Sequence, residues 1–122
     1  MQPYIYRARG IRAIDGDTIE CSVDVGFGLT TVQRFRLWGI DTPEKRSSDT
    51  ATKELAYAAQ EFTANFIEGI DFMIQTYKTD DFGRYLAKVF VPQGSNEYIC
   101  LNELLVIEGF ARPYIEKTDL LL

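Results

Sequence analysis

Three short segments carry residues able to handle a phosphate and a metal ion. They are Ile14-Asp15-Gly16-Asp17-Thr18-Ile19-Glu20, then Arg36-Leu37-Trp38-Gly39-Ile40-Asp41-Thr42-Pro43-Glu44, then Asp80-Asp81-Phe82-Gly83-Arg84-Tyr85. Taken singly, each has an ordinary explanation. Asp-Gly-Asp is a common hairpin turn, Asp-Thr-Pro opens many turns, and an arginine after a glycine turn is usually a solvated one. Taken together they offer more. Asp17 and Asp41 are hard oxygen donors, and at one end of a sheet they would repel each other until a divalent cation such as calcium relieved the charge. Arg36 and Arg84 carry planar forks that match two phosphoryl oxygens at once. Glu44 is a spare carboxylate able to take a proton from an attacking water. One hard cation, two arginines and one free carboxylate suit phosphodiester hydrolysis, in which charge grows on the phosphoryl oxygens.

The composition narrows this chemistry. Histidine is absent from the 122 residues, so imidazole serves neither as acid–base group nor as ligand, and a metal must be held by oxygen. Cys21 and Cys100 lie far apart, each in an apolar-periodic segment, and read as two buried free thiols. The net charge of −5 argues against a broad nucleic-acid-coating surface, which needs clustered Lys and Arg, and leaves room for a local basic cleft. The length suits a single domain, 1–122, with one core. No stretch approaches the roughly 20 apolar residues that span a membrane. The opening residues lack a basic region followed by an apolar run, so a cytoplasmic location without a membrane partner is expected.

The elements that must position these groups follow from periodicity. Residues 4–14 read as a strand, and Asp15-Gly16 as a turn. Residues 18–25 alternate, with Ile19, Cys21, Val23 and Val25 on one face. After Gly26-Phe27-Gly28, residues 31–38 form a third strand, with Phe35 and Leu37 on one face and Arg34 and Arg36 on the other. The polar, proline-containing stretch 41–50 reads as a loop. Residues 51–68 have helical spacing, with Leu55, Ala58, Ala59, Phe62 and Phe66 sharing a face and Gly69 as the stop. Strands over 72–77 and 85–91 flank a turn at 79–83, and a short helix over 101–108 ends at Gly109. Three meandering strands, a helix and a hairpin make the order of an OB barrel: an α+β fold with five strands and two to three helices.

Asp-Gly-Asp-Thr, then Arg-Leu-x-x-x-Asp-Thr-Pro-Glu, then Asp-Asp-Phe-Gly-Arg, in this order and spacing, resemble the staphylococcal nuclease family. The similarity runs from about Tyr4 to Tyr114 and includes the stretch 101–114 around the second helix. The resemblance implies a calcium-dependent endonuclease that cuts DNA and RNA at the 5′-oxygen with little sequence preference and leaves 3′-phosphate ends. It implies Asp17 and Asp41 as Ca²⁺ ligands through their side chains and Thr42 through its backbone carbonyl. Arg36 and Arg84 would contact the scissile phosphate, and Glu44 would act as general base or order the attacking water. Phe82 and Tyr114 would bind substrate, with single-stranded DNA and RNA preferred and the enzyme a monomer.

This chain departs from the best-known members in three ways. They are basic, whereas it is acidic. Asp81 and Phe82 stand where they carry Lys and Tyr. They continue into a further helix, whereas this sequence ends at Asp119-Leu120-Leu121-Leu122. They are also secreted, so an intracellular or phage-encoded enzyme is expected here. The alternative is a non-catalytic module of the same superfamily that binds nucleic acid or protein. Such a module has no reason to keep Asp17, Arg36, Asp41, Glu44 and Arg84 together. A purely structural Ca²⁺-binding domain would leave both arginines unexplained.

Overall fold

Alternation of apolar and polar residues gives three long antiparallel strands, β1 (Tyr4–Asp15), β2 (Thr18–Gly26) and β3 (Leu29–Leu37). A two-residue strand β4 (Ile40–Asp41) leads to helix α1 (Thr50–Ile67). Strands β5 (Asp71–Thr79), β6 (Tyr85–Pro92) and β7 (Tyr98–Cys100) precede helix α2 (Leu101–Ile107), and β8 (Arg112–Pro113) pairs back to β4. These elements come from a computed structural model that describes residues 4–79 and 83–114.

The sheet order β3-β2-β1-β5-β6 closes on itself because β3 also pairs in parallel with β6. This is the five-stranded OB barrel expected from the element order, with two helices among the described residues. Its core is filled from alternate strand positions, among them Ile19, Cys21, Val23, Phe35, Leu37, Ile74 and Val89, capped by Ile67, Leu101 and Leu105 from the helices. No helix among the described residues is long and apolar enough to cross a membrane.

Two expected core positions are corrected. Leu55 is 57% exposed, and the buried row of α1 is Ala56, Ala59, Thr63 and Ile67, with Phe62 and Phe66 partly buried beside it. The helix is turned because its small residues face the β1–β2 hairpin, where a Cβ on Gly16 would stand 2.7 Å from the Ala59 Cβ. Val25 is also exposed, because the end of β2 runs past the core into the Gly26–Gly28 turn. Of the cysteines, Cys21 is buried and Cys100 half-buried, and both are free thiols. Burial pushes the Cys21 thiol up to about 12.

A second close approach fixes the other end of α1. A Cβ on Gly10 would fall 1.8 Å from the Ile67 carbonyl oxygen. Gly10 instead donates its N–H to the Ile70 carbonyl and accepts from the Gly69 N–H. At the opposite side of the barrel, Asn102 at the start of α2 is 2% exposed and satisfies three partners. It accepts from the Val89 N–H at 3.0 Å and donates to the carbonyls of Trp38 at 2.9 Å and Ala87 at 3.0 Å. The tip of β3, strand β6 and α2 are thereby tied at one side chain. Asn102→Ala leaves the buried Val89 N–H without its side-chain acceptor and removes a donor from the Trp38 carbonyl, while the Ala87 carbonyl keeps the Trp38 N–H at 2.8 Å. The substitution is expected to cost about 2–3 kcal/mol in urea unfolding, and a loss under ~1 kcal/mol would show that the staple is dispensable.

Candidate active site

Strand register decides which residues meet. Thr18 of β2 pairs with Arg36 of β3, so Asp17 lies beside the end of β3, where its carbonyl accepts the Leu37 N–H at 2.7 Å. The parallel closure aligns Phe35 with Tyr85 and Arg36 with Leu86, which delivers Arg84 to the same end of the barrel. Asp41 follows after the tight turn at Trp38-Gly39, where Gly39 takes a φ of +80° that a side chain would disfavour.

Arg36 is the centre of this cluster. Its guanidinium Nη2 lies 3.5 Å from Asp17 Oδ2 and 3.2 Å from Asp41 Oδ1, and Nη1 donates to the Leu37 carbonyl. The Tyr114 ring covers it, with the guanidinium carbon 5.3 Å from the ring centroid. The side chain is only 7% exposed, so its charge is compensated by ion pairs rather than by bulk water. Asp17 is also buried. One of its oxygens accepts from the Thr18 hydroxyl and the other from the Thr42 N–H, each at 3.2 Å. The second Asp41 oxygen accepts from Arg112 Nη2 at 3.2 Å.

A cavity of about 270 Å³ opens over these groups. Its walls include Asp17, Arg36, Asp41, Thr42, Glu44, Arg84 and Tyr114, so seven of the eight sequence-selected site residues border one space. The eighth, Phe82, lies outside the described residues, as do Asp80, Asp81 and the terminal leucines. Arg46 borders the same cavity and was not singled out from sequence. Its signal was available: Lys45-Arg46 directly follows Glu44 and adds two cations to the turn. Arg46 is exposed and makes no hydrogen bond or ion pair among the described residues.

Supporting contacts hold the hairpin tip that carries Asp17. Thr63 Oγ1 donates to the Gly16 carbonyl at 2.7 Å, Gln60 Nε2 to the Ala13 carbonyl at 3.0 Å, and Lys45 Nζ to the Ile14 carbonyl at 2.6 Å. Lys45 also pairs with Asp15 at 3.2 Å. Elsewhere on the barrel several arginines are paired with carboxylates. Arg34 and Arg12 flank Glu20, and the hydrogen bond from Arg34, followed by the Arg12 and Arg34 charges, holds that carboxyl below its usual range.

Among the described residues no three His, Cys, Asp or Glu side chains converge. The two carboxylates that do converge share a single guanidinium nitrogen, so they stand close enough to share one positive group. All available donors are oxygen, which fits a hard cation whose remaining ligands are water and substrate in an open cavity.

A family model described as "Staphylococcal nuclease homologue" matches residues 34–120. The chain belongs to the staphylococcal nuclease homologue family. Curated relatives include a thermonuclease of Staphylococcus hyicus, 34% identical over 84% of this chain and 56% of the relative. An uncharacterized protein of Methanocaldococcus jannaschii is 33% identical over 94% of this chain and 62% of its own length. An uncharacterized endonuclease of Escherichia coli is 28% identical over 87% and 60%. The chain thus spans between 56% and 62% of the length of these relatives.

Because Arg36 neutralises two facing carboxylates, removing it exposes their repulsion. Arg36→Met is expected to destabilise the metal-free protein by about 3–5 kcal/mol, the range for breaking a buried pair. Added Ca²⁺ should recover part of that loss in thermal unfolding; identical curves with and without Ca²⁺ would separate the carboxylates from any cation role.

Proposed function

We propose that the chain is a Ca²⁺-dependent nuclease that hydrolyses phosphodiester bonds of DNA and RNA with little sequence preference. One observation carries the reading: a buried arginine set between two carboxylates, with Arg84, Arg46 and Glu44 bordering the same cavity. Membership of the nuclease homologue family supports it. The retention of the whole set argues against a binding module that has lost its chemistry.

Asp17, Asp41 and the Thr42 carbonyl would hold the cation, which supplies Lewis-acid stabilisation of a phosphoryl oxygen when bound. Arg36 would present its remaining donor capacity to a phosphoryl oxygen from a fixed position, since packing under Tyr114 leaves it little freedom. A preorganised donor of this kind costs no reorganisation when charge develops. Arg84 would bind the same phosphate from the other wall. Glu44 would take one proton of the attacking water, whose oxygen bonds to phosphorus as the bond to the 5′-oxygen breaks; the departing 5′-oxygen takes a proton from solvent, leaving a 5′-hydroxyl and a 3′-phosphate. The exposed part of Tyr114 offers a base a stacking surface. Single-stranded DNA and RNA, whose bases are free to stack on Tyr114, would be the preferred substrates. Arg46 would bind a neighbouring phosphate and stand in for part of the cationic surround that an acidic chain lacks.

Digestion of single-stranded DNA should require added Ca²⁺, stop with chelator and yield 3′-phosphate ends on end-group analysis. Unchanged cleavage in excess chelator would remove the metal from the mechanism. Arg84→Ala should slow single-turnover cleavage by about 10³–10⁵, the range for transition-state arginines in phosphoryl transfer; a loss below roughly tenfold with the fold intact would exclude that role. Arg46→Gln should raise KM, leave kcat nearly unchanged and lower the salt slope of binding by about one.

A further inference from the structure

Both oxygens of Asp41 are occupied by guanidinium groups. Oδ1 pairs with Arg36 Nη2 and Oδ2 with Arg112 Nη2, each at 3.2 Å. The two arginines differ in everything else. Arg36 is buried, bonded to Asp17 and the Leu37 carbonyl, and roofed by Tyr114. Arg112 has a side chain 76% exposed, and Asp41 is its only ion-pair partner among the described residues. We propose that Arg112 is a built-in competitor for the cation site, holding Asp41 Oδ2 when no divalent ion is bound and releasing it when one enters. The inference rests on the reading of Asp41 as a cation ligand.

Three features carry it. First, Arg112 is placed by backbone pairing, not by a chance side-chain contact. It is the register partner of Asp41 in the β4–β8 ladder, which the Tyr114 N–H extends by donating to the Gly39 carbonyl at 2.8 Å. A tether this short keeps the guanidinium at high effective concentration over the carboxylate. Second, a divalent cation and a guanidinium on the same oxygen repel each other at close range, so a cation taking Asp41 Oδ2 must displace Arg112 while Arg36 keeps Oδ1. Arg112 is the group able to leave, because its exposed side chain can be hydrated. Third, it has somewhere to go. A separate cavity of about 470 Å³, bordered by Arg112, Glu44, Ser47, Thr52 and Phe110, lies across the Asp41-Thr42-Pro43-Glu44 turn. The consequence is a site balanced without metal: two carboxylates face two guanidiniums. By linkage, whatever the Arg112–Asp41 pair adds to the stability of the metal-free protein is subtracted from cation affinity.

The test compares wild type with Arg112→Gln and with Arg46→Gln, which removes a cavity cation that has no carboxylate partner among the described residues. Ca²⁺ affinity is read by titration calorimetry, and unfolding midpoints are read in chelator and in saturating Ca²⁺. Arg112→Gln should bind Ca²⁺ about two- to fivefold more tightly at low salt, the span of an exposed pair. It should melt below wild type in chelator and match it in saturating Ca²⁺, whereas Arg46→Gln should show no chelator-specific loss. If the two variants behave alike in affinity and in both melts, Arg112 contributes only net charge and the proposal fails. Asp41→Asn separates that failure from failure of the underlying reading. If wild type takes up no Ca²⁺, or Asp41→Asn takes it up as wild type does, Asp41 is not a ligand and both fall. If Asp41→Asn abolishes uptake while Arg112→Gln leaves it unchanged, the competitor role alone falls.

Discussion

A buried guanidinium held between two carboxylates is the constraint around which this end of the barrel is arranged. Desolvating an arginine is expensive unless its donors are used, and removing one partner of such a cluster costs more than the cluster as a whole gains. Arg36 therefore requires Asp17 and Asp41 to be present and correctly placed. Those two residues come from different turns, 24 positions apart in the chain. The placement of each turn becomes a condition on the stability of the other. In the proposed nuclease, the same condition presents donors to a phosphate without reorganisation during the reaction.

That placement is enforced by close backbone approach and by buried side-chain bonds. Gly16 lets α1 come so near the β1–β2 hairpin that no larger residue would fit without displacement, and Thr63 and Gln60 then bond the hairpin carbonyls. Asn102 ties the tip of β3 to β6, so the strand ending near Asp41 and the strand that Arg84 precedes are joined through one side chain. None of these groups borders the central cavity. Their contribution is rigidity, and small errors of position at a phosphate site carry large losses in rate.

The electrostatics are local. With a net charge of −5, the chain has no general attraction for a polyanion, and most of its arginines are engaged with carboxylates. Arg12 and Arg34 serve Glu20, Arg9 serves Asp71, and Arg112 serves Asp41. What remains is a small cavity whose walls mix acidic and basic groups, in which affinity would depend on a few phosphate contacts and on the stacking surface of Tyr114. Such a site favours short-range recognition of a phosphate over long-range steering of a duplex.

Periodicity in the sequence determined the five long strands, both helices and their order, because alternation and helical spacing are local properties of the chain. The segments Asp-Gly-Asp-Thr and Arg-Leu-Trp-Gly-Ile-Asp-Thr-Pro-Glu likewise named the residues of interest and the family resemblance. The helix face was legible only in part. Leu55 fits an apolar stripe, but the docked face was decided by Gly16 and Ala59, which allow the closest approach. The pairing of β4 with β8 has no local signature at two residues each, and it alone brings Arg112 onto Asp41. Arg36 read as one face of a strand, yet its burial depends on Tyr114, 78 residues later, closing over it. The chain's own pattern thus determined which groups are available, and only the closed barrel decided which of them share a charge, because that depends on contacts between segments distant in sequence.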